Sequence, residues 1–275
     1  MLVTLKEILE IANEKKCAIG SFNGPNIPTA QAVIAAAEEL NQPVILMHAQ
    51  VHEEMELCEM EIIAPVLLAL AKRAKVPVCV HLDHGTDVDY VKRGLDLGFT
   101  SVMYDGSLLS EEENTANTKI VVEYAKKTGA SVEAEIGSMG AREGGAEGGD
   151  SIYTDPEAAV RFVKATGIDA LACAFGTAHG FYKDAPKLDF ERLSKIDSMI
   201  DVPIVMHGGS GVSEEDYKEV IKRGVRKVNY YTYMAKAGGE AISNKQYSQF
   251  HDALTDAKIA MKENVKKAIE IFSMK

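Results

Sequence analysis

The regular alternation of short β-rich runs with amphipathic segments is the feature that most constrains the fold of this chain. Eight β-rich runs fall at 18–22, 43–48, 77–82, 100–104, 131–135, 169–175, 203–207 and 226–230. Apolar residues recur every three or four positions, as on one face of a helix, over 28–41, 60–75, 86–97, 111–128, 155–166, 188–199 and 213–223. Eight such units predict an α/β fold, a (β/α)8 TIM barrel.

A doubly wound sheet is the rival architecture. The first strand is followed by G-S-F-N-G-P-N, which lacks the G-x-G-x-x-G spacing of a dinucleotide-binding turn. The tail from about 233 to 275 has a helical pattern and predicts extra C-terminal helices. Because no linker or shift in composition divides the chain, we expect one domain spanning residues 1–275.

Charge and cysteine usage limit the partners and the compartment. A formal net charge of -11 argues against nucleic acid or an anionic membrane as a partner. No apolar run reaches the roughly 18 residues that a membrane span needs, and the N-terminus does not read as a secretion signal. Cys79 and Cys173 lie in apolar runs, and no C-x-x-C pair occurs. These features predict a cytoplasmic protein.

Three histidines each close an apolar strand-like run or follow one closely, next to glycine or near it. They are His84 in V-H-L-D-H-G, His179 in G-T-A-H-G and His207 in V-M-H-G-G-S-G. Chemistry in such barrels lies at the carboxyl ends of the strands, so the three imidazoles are predicted to converge there on one metal ion. Three ligands leave a coordination position for substrate, and neutral imidazole suits zinc, with cobalt, iron or manganese as alternatives. The plainer interpretation is three polar residues that each bond a neighbour.

Asp83 precedes His84 directly. A carboxylate beside a metal-bound substrate is a candidate general acid and base. It is alternatively the N-cap of the following helix, although Thr86 or Asp87 can serve as that cap.

The remaining histidines receive separate predictions. His81 is expected in the barrel interior with a structural or supporting role, and His48 is a weaker candidate to face the site. His52 and His251 are expected on the surface.

Two glycine-rich or polar turns near the end of the chain are predicted to bind an anion. Residues 208–211 (G-G-S-G) follow the seventh strand, and residues 229–232 (N-Y-Y-T) follow the eighth. Loops at these positions bind phosphate in many such barrels, through free backbone N–H groups. Lys183, close after Gly180, adds a positive charge. Residues 137–151 contain six glycines and predict a mobile loop at the same face.

Six ordered motifs resemble those of the class II, metal-dependent ketose-bisphosphate aldolases, which include the fructose- and tagatose-bisphosphate enzymes. The resemblance extends to about residue 232. The motifs are H-L-D-H-G (81–85), S-V-M-Y-D-G-S (101–107), S-V-E-A-E-I-G (131–137), G-T-A-H-G (176–180), M-H-G-G-S-G (206–211) and K-V-N-Y-Y-T (227–232).

The resemblance implies a set of residue roles. Zn²⁺ is bound by His84, His179 and His207, Asp83 exchanges a proton with the hydroxyl that becomes the aldehyde, and Glu143 in the glycine-rich loop works on the other carbon. Asp105 and Glu135 resemble ligands of a second metal or a monovalent cation. The phosphorylated half of the substrate is assigned to Asn23, Gly180, Lys183, Gly208, Ser210, Asn229 and Thr232.

The activity that the resemblance implies is reversible cleavage of a ketose 1-phosphate or bisphosphate. The products are dihydroxyacetone phosphate and an aldehyde, formed through an enediolate that the zinc ion stabilises. The resemblance also implies a homodimer or homotetramer.

Three departures from the family pattern bear on the substrate. Tyr231 stands where the family usually has aspartate or a small residue, and Ala49 stands where a serine is expected. No arginine follows Arg226, whereas fructose-bisphosphate enzymes use a late arginine for the second phosphate. We therefore hypothesise a sugar or sugar-acid 1-phosphate whose aldehyde half carries no phosphate.

Other functions stay open at this point. The chain is alternatively a catalytically weak sugar-phosphate-binding protein, or an aldolase with a different donor. A metal-dependent hydrolase on the same barrel is a third alternative. The acid–base pair Asp83 and Glu143 argues against simple binding, because binding alone does not need it.

Overall fold

The computed structural model describes residues 1–137, 153–182 and 185–275. These residues form nine parallel strands, of which β2 to β9 close into a barrel because β4 pairs with both β3 and β5. This confirms the predicted (β/α)8 barrel. The strands are β1 (Leu2–Val3), β2 (Ile19–Asn23), β3 (Val44–Ala49), β4 (Val78–Gly85), β5 (Ser101–Tyr104), β6 (Ser131–Ile136), β7 (Ala170–Cys173), β8 (Ile204–Met206) and β9 (Val225–Asn229).

Helices follow the strands and form the outer layer. The described helices are α1 (Leu5–Lys15), α2 (Ile27–Leu40), α3 (Gln50–Glu54), α4 (Met60–Arg73), α5 (Val88–Asp96), α6 (Glu111–Thr128), α7 (Pro156–Thr166), α8 (Phe190–Met199), α9 (Glu214–Lys222), α10 (Thr232–Ser243) and α11 (Phe250–Phe272). The last two confirm the predicted C-terminal helices. In the described ranges no helix has both the length and the apolar character to cross a bilayer.

Two short elements were not predicted from the sequence. The two-residue strand β1 extends the sheet beside the start of β4. The five-residue helix α3 begins after Ala49, whose side chain cannot accept a capping hydrogen bond. Both elements are too short to show a hydrophobic period, so tertiary contacts decide them.

The apolar core has two parts, inside and outside the barrel. Strand residues that point outward pack against the helices, and Cys173 is buried in that layer. Inward residues at the amino end, including Ile45, Cys79 and Met103, pack against Leu5 and other apolar residues of α1, which closes that end. Both cysteines are therefore core residues, as predicted. Since apolar residues fill the lower interior, polar groups concentrate at the opposite rim.

A capping box begins α6, the helix that follows β5. The hydroxyl of Ser110 accepts a hydrogen bond from the backbone N–H of Glu113, and the Glu113 carboxylate in turn accepts one from the backbone N–H of Ser110. Two N–H groups that the helix itself leaves without partners are satisfied in this way.

Replacing the capping hydroxyl should destabilise the fold without affecting the rim. We expect Ser110→Ala to lower the free energy of unfolding by about 1 kcal/mol, as measured by urea denaturation. Ser198→Ala is the matched control, because Ser198 is an exposed serine near the end of α8 whose hydroxyl donates to Lys195 within the same helix. Equal effects of the two substitutions would contradict a special role for the cap.

Candidate metal centre and active site

Polar side chains from most of the barrel strands meet at the carboxyl rim. Asp83 and His84 lie near the end of β4. The other predicted rim residues in or directly after strands are Asn23 at the end of β2, Asp105 after β5, Glu135 in β6, His207 after β8 and Asn229 at the end of β9. The barrel therefore brings together residues that are far apart in the sequence.

Strand β4 departs from regular alternation where it enters the site. Neighbouring strand residues normally face opposite sides, yet both Asp83 and His84 contact rim residues. His84 has a left-handed φ of 48°, and the pairing with β5 shifts register between Leu82 and Gly85. A non-glycine residue in this region costs about 1–3 kcal/mol. This local bulge turns the His84 ring toward the side that Asp83 already faces.

The three predicted imidazoles converge. His84 Nε2 lies 3.2 Å from His179 Nε2 and 2.8 Å from His207 Nδ1. One ring nitrogen from each residue can be chosen so that all lie within 4.8 Å of one another. Two nitrogens bound to one tetrahedral Zn²⁺ are roughly 3.3 Å apart. The spacing of the donor atoms therefore fits a single zinc ion.

Carboxylates fix the tautomers of two of these rings. His84 Nδ1 donates to Asp105 Oδ2 at 2.8 Å, and His207 Nε2 donates to Glu133 Oε1 at 2.7 Å. With these protons placed, the remaining nitrogen of each ring turns a lone pair toward the centre. Such carboxylate–histidine pairs are the usual support of metal-bound imidazole. The donor set therefore fits a metal in chemistry as well as in spacing.

The field at the centre is negative. Burial disfavours an imidazolium at His84, but the nearby carboxylates of Asp83 and Asp105 overcome this and raise its pKa to about 10. Burial would likewise raise the pKa of Glu133, but Lys227 and His207 lower it to about 2. The carboxylates therefore stabilise positive charge at His84, whereas burial and the neighbouring His84 lower the pKa of His207.

Asp83 is a buried carboxylate held by two amides. Its oxygens accept from Asn229 Nδ2 at 3.0 Å and from Asn23 Nδ2 at 3.3 Å. Burial would raise the pKa of Asp83, but His84, His207 and Lys227 hold that pKa well below its usual range. The side chain is therefore an ionised carboxylate beside the histidine cluster and is not an N-cap. Asp87 caps α5 instead.

Asp105, Glu135 and His84 form a second group of side chains that could hold a cation. One donor atom from each of the three residues lies within 4.8 Å of the others. Burial and the charge of Asp105 raise the pKa of Glu135 well above its ordinary value. Glu135 Oε2 is buried and makes no hydrogen bond to any described residue. These features suit a cation that neutralises the two carboxylates.

The turns after β8 and β9 lie against each other. Gly209 N donates to Asn229 O at 3.1 Å, and Tyr231 N donates to Ser210 Oγ at 3.1 Å. Tyr182 Oη donates to Gly208 O at 2.8 Å and ties this turn to the segment that carries His179. Thr232 begins α10, so the N-terminus of that helix faces the same region. The predicted anion-binding residues Gly208, Ser210, Asn229 and Thr232 thus lie in adjacent turns.

Two predictions for histidines were wrong. His52 was expected on the surface, but it is buried in α3, and its ring centroid lies 5.0 Å from that of Tyr231. His48 was a weaker candidate to face the site, but its neighbour Met47 takes an inward position of β3, and His48 Nε2 lies 3.5 Å from Tyr90 Oη on α5. The burial of His52 was missed because helix α3 was not predicted. The error for His48 follows from the alternation of side chains along β3.

His81 and His251 follow their predictions. His81 is fully buried inside the barrel, with Nδ1 2.8 Å from Ser101 Oγ. His251 is exposed on α11.

Two buried ionised residues of the site were missed. Lys227 and Glu133 are both fully buried and form an ion pair with 2.9 Å between Nζ and Oε2. Each precedes a predicted site residue by two positions, Asn229 and Glu135 respectively. The period of two that places successive side chains on one face of a strand was the signal that could have found them.

Other predictions fall outside what the structure describes or tests. Glu143, Lys183 and most of the glycine-rich stretch 137–151 lie outside the described residues. The homodimer or homotetramer, the cytoplasmic location and the single domain spanning 1–275 stay predictions.

The class of protein follows from this site on this fold. Three imidazoles and an ionised carboxylate at the carboxyl rim of a (β/α)8 barrel are typical of a metal-dependent enzyme. The family described as class-II fructose-bisphosphate aldolase matches residues 3–275. The chain is 39% identical over 277 residues to the fructose-bisphosphate aldolase of Staphylococcus aureus, covering 98% of this chain and 97% of the relative.

A solved structure agrees with the sequence comparison. The crystal structure of the YdjI aldolase from Escherichia coli K12 matches with a TM-score of 0.89 and 33% identity, over 99% of this chain and 97% of that chain. This chain belongs to the class II fructose-bisphosphate aldolase family, whose members generally depend on zinc. The predicted family and the predicted enzyme class, an aldehyde-lyase, are thereby confirmed.

Gly208 offers a test of how tightly the β8 turn supports the site. It has φ 61°, and an added Cβ would lie 2.3 Å from Ala178 O, next to His179. We expect Gly208→Ala to lower the free energy of unfolding by about 1–3 kcal/mol more than Gly167→Ala does. We also expect it to lower the amount of zinc bound per subunit. The control Gly167 has a similar φ of 69° but open space around the added Cβ. Urea denaturation and metal analysis measure both effects, and equal results for the two variants would contradict the clash.

Proposed function

We propose that this protein is a Zn²⁺-dependent aldolase that reversibly cleaves a ketose 1-phosphate or bisphosphate to dihydroxyacetone phosphate and an aldehyde. The observation that carries the proposal is the ionised carboxylate of Asp83 beside three converging imidazoles. Aldol cleavage removes a proton from a hydroxyl while a neighbouring carbonyl accepts the electron pair of the broken C–C bond. A proton acceptor next to a metal site meets both requirements.

Three residues of this chain would hold the zinc ion: His84 and His207, through Nε2 and Nδ1 respectively, and His179. When bound, the ion supplies Lewis acidity to the substrate carbonyl. Asp105 and Glu133 keep two of the rings in the required tautomers. Asp105 and Glu135 are proposed as ligands of a second metal or a monovalent cation, which the orphaned Glu135 oxygen supports.

Asp83 is proposed to take the hydroxyl proton during cleavage and to return it during condensation. The amides of Asn23 and Asn229 hold its carboxylate in place, and neither can accept or donate the proton instead. By resemblance, Glu143 delivers a proton to the carbon that has lost its C–C bond. Two acid–base groups are thereby assigned to the two carbons of the broken bond.

The phosphate of the dihydroxyacetone half is assigned to the paired turns. Gly208 and Ser210 lie in one turn, and Asn229 and Thr232 lie at the other, where α10 begins. A helix N-terminus and a glycine turn provide N–H donors for an anion. Gly180 and Lys183 complete this assignment by resemblance.

The aldehyde half is less constrained, and one observation favours a ketose 1-phosphate over a bisphosphate. Tyr231 packs against the buried His52 and joins the β9 turn to α3 across the end of β2. Burial lowers the pKa of His52 to about 4, so this ring is neutral at pH 7. Because no arginine follows position 226 to bind a second phosphate, we expect the aldehyde half to carry no phosphate.

Chelation and a substrate panel test the proposed reaction. We expect the purified protein to contain one zinc ion per subunit. It should release triose phosphate from a ketose 1-phosphate and from fructose 1,6-bisphosphate, with a preference for the ketose 1-phosphate. EDTA treatment should lower the rate by more than about 100-fold. Added Zn²⁺ should restore the rate. An EDTA-treated protein that turns over at the original rate would contradict the metal assignment, and preference for the bisphosphate would contradict the aldehyde assignment alone.

Asp83→Asn tests the proton acceptor. We expect kcat to fall by about 10²–10⁴-fold with the zinc content unchanged, because the amide has the shape of the carboxylate but cannot take the proton. Asp89→Asn on α5 is the control, because its side chain is 89% exposed and pairs with Lys92 of the same helix. Turnover that survives in Asp83→Asn at the wild-type level would exclude the assigned role.

A further inference from the structure

Lys227 is a fully buried lysine. No role was predicted for it from the sequence. It lies on β9 and is among the largest side chains with no exposed surface. Burying an ammonium group is costly unless other groups bond it and balance its charge. The partners of Lys227 therefore indicate what the charge does.

The ammonium group of Lys227 contacts two different side chains. Its Nζ lies 2.9 Å from Glu133 Oε2 in an ion pair. It also donates to Asn229 Oδ1 at 2.7 Å. Each partner is itself buried, and each contacts functional groups of the rim: Glu133 contacts His207, and Asn229 contacts both Asp83 and His207.

The first branch leads to the metal centre. Glu133 uses its other oxygen, Oε1, to accept from His207 Nε2 at 2.7 Å. This bond places the ring proton on Nε2 and leaves Nδ1 as the nitrogen that faces His84, 2.8 Å away. Lys227 thus holds the carboxylate that fixes the tautomer of a proposed zinc ligand.

The second branch leads to the proton acceptor. An ammonium group has donors only, so the oxygen of the Asn229 amide must face Lys227. The amide nitrogen then necessarily faces the other way, where it donates to Asp83 Oδ1 at 3.0 Å. Without the ammonium group, the amide could rotate and present its oxygen to the carboxylate, which would repel it.

We propose that Lys227 is a positioning residue that orients, through Glu133 and Asn229, both the zinc ligand His207 and the proton acceptor Asp83. The inference rests on the proposed function of these two residues. It assigns Lys227 no contact with substrate or metal. A single buried charge thereby couples metal binding to the alignment of the acid–base group.

Lys227→Met tests the inference because methionine keeps the length and loses the charge. We expect zinc affinity, measured by competition with a chelator, and kcat each to fall roughly 10- to 100-fold, with KM within about threefold. The visible absorption spectrum of the Co²⁺-substituted protein should also change, because it reports the ligand geometry. Lys222→Met is the matched control, on the exposed side of α9 and paired only with Glu219 among the described residues; its spectrum, affinity and kcat should be unchanged.

A second variant keeps the test decisive if Lys227→Met fails to fold, because that variant leaves Glu133 as an uncompensated buried charge. Lys227→Met with Glu133→Gln removes both charges, and buried ion pairs replaced as a unit are often tolerated. We expect the double variant to fold with weak zinc binding, because His207 loses its carboxylate partner, and with low kcat, because Asn229 still lacks its orienting donor.

The outcomes separate this inference from the proposed function. If a folded variant without Lys227 keeps the wild-type Co²⁺ spectrum, zinc affinity and kcat, Lys227 only fills the barrel and the inference is wrong. If the wild-type protein itself binds no zinc and cleaves no ketose phosphate, the proposed function fails, whatever the variants show.

Discussion

Closure of the parallel sheet between β4 and β5 is the constraint on which the site depends. All the carboxyl ends lie on one rim because the strands are parallel. Closure gives every barrel strand two neighbours, so that residues 146 positions apart, such as Asp83 and Asn229, contact each other. Helix α1 fills the opposite end with apolar side chains such as Leu5 and Ile8. Charged groups are therefore restricted to the upper interior, where low exposure strengthens their mutual interactions.

A regular barrel alone does not produce this site, because alternation would turn one of two adjacent residues away. The left-handed backbone of His84 and the register shift after Leu82 bring the side chains of two adjacent residues, Asp83 and His84, into the same site. The unfavourable conformation is held by a backbone bond from Asp105 N to Gly85 O at 2.8 Å and by the Asp105 carboxylate on the imidazole. Strain at this residue is thus coupled to its function, as is common at active sites.

The repeating part of the architecture was predictable from the sequence because its signals are local. Each barrel strand has its own apolar run, so the predicted bounds agree closely with the structure. The histidine cluster was predictable because strand ends converge in any such barrel. The burial of His52 was not predictable, since it depends on a contact with Tyr231, which lies in the turn after β9, far away in the sequence. Lys227 was missed because charge normally indicates exposure, and only its position two residues before Asn229 placed it inside.

The charges around the histidines add a physical reason for a divalent ion. Asp83, Asp105 and Glu133 all have a pKa held below the ordinary range, so these three carboxylates are ionised, whereas burial raises the pKa of Glu135. Lys227 contributes one positive charge against these three, which leaves a formal charge of minus two around neutral imidazoles. Protonation of His84 neutralises only half of this negative charge. A divalent cation at the histidine nitrogens balances the whole, so the electrostatics and the donor geometry favour the same occupant.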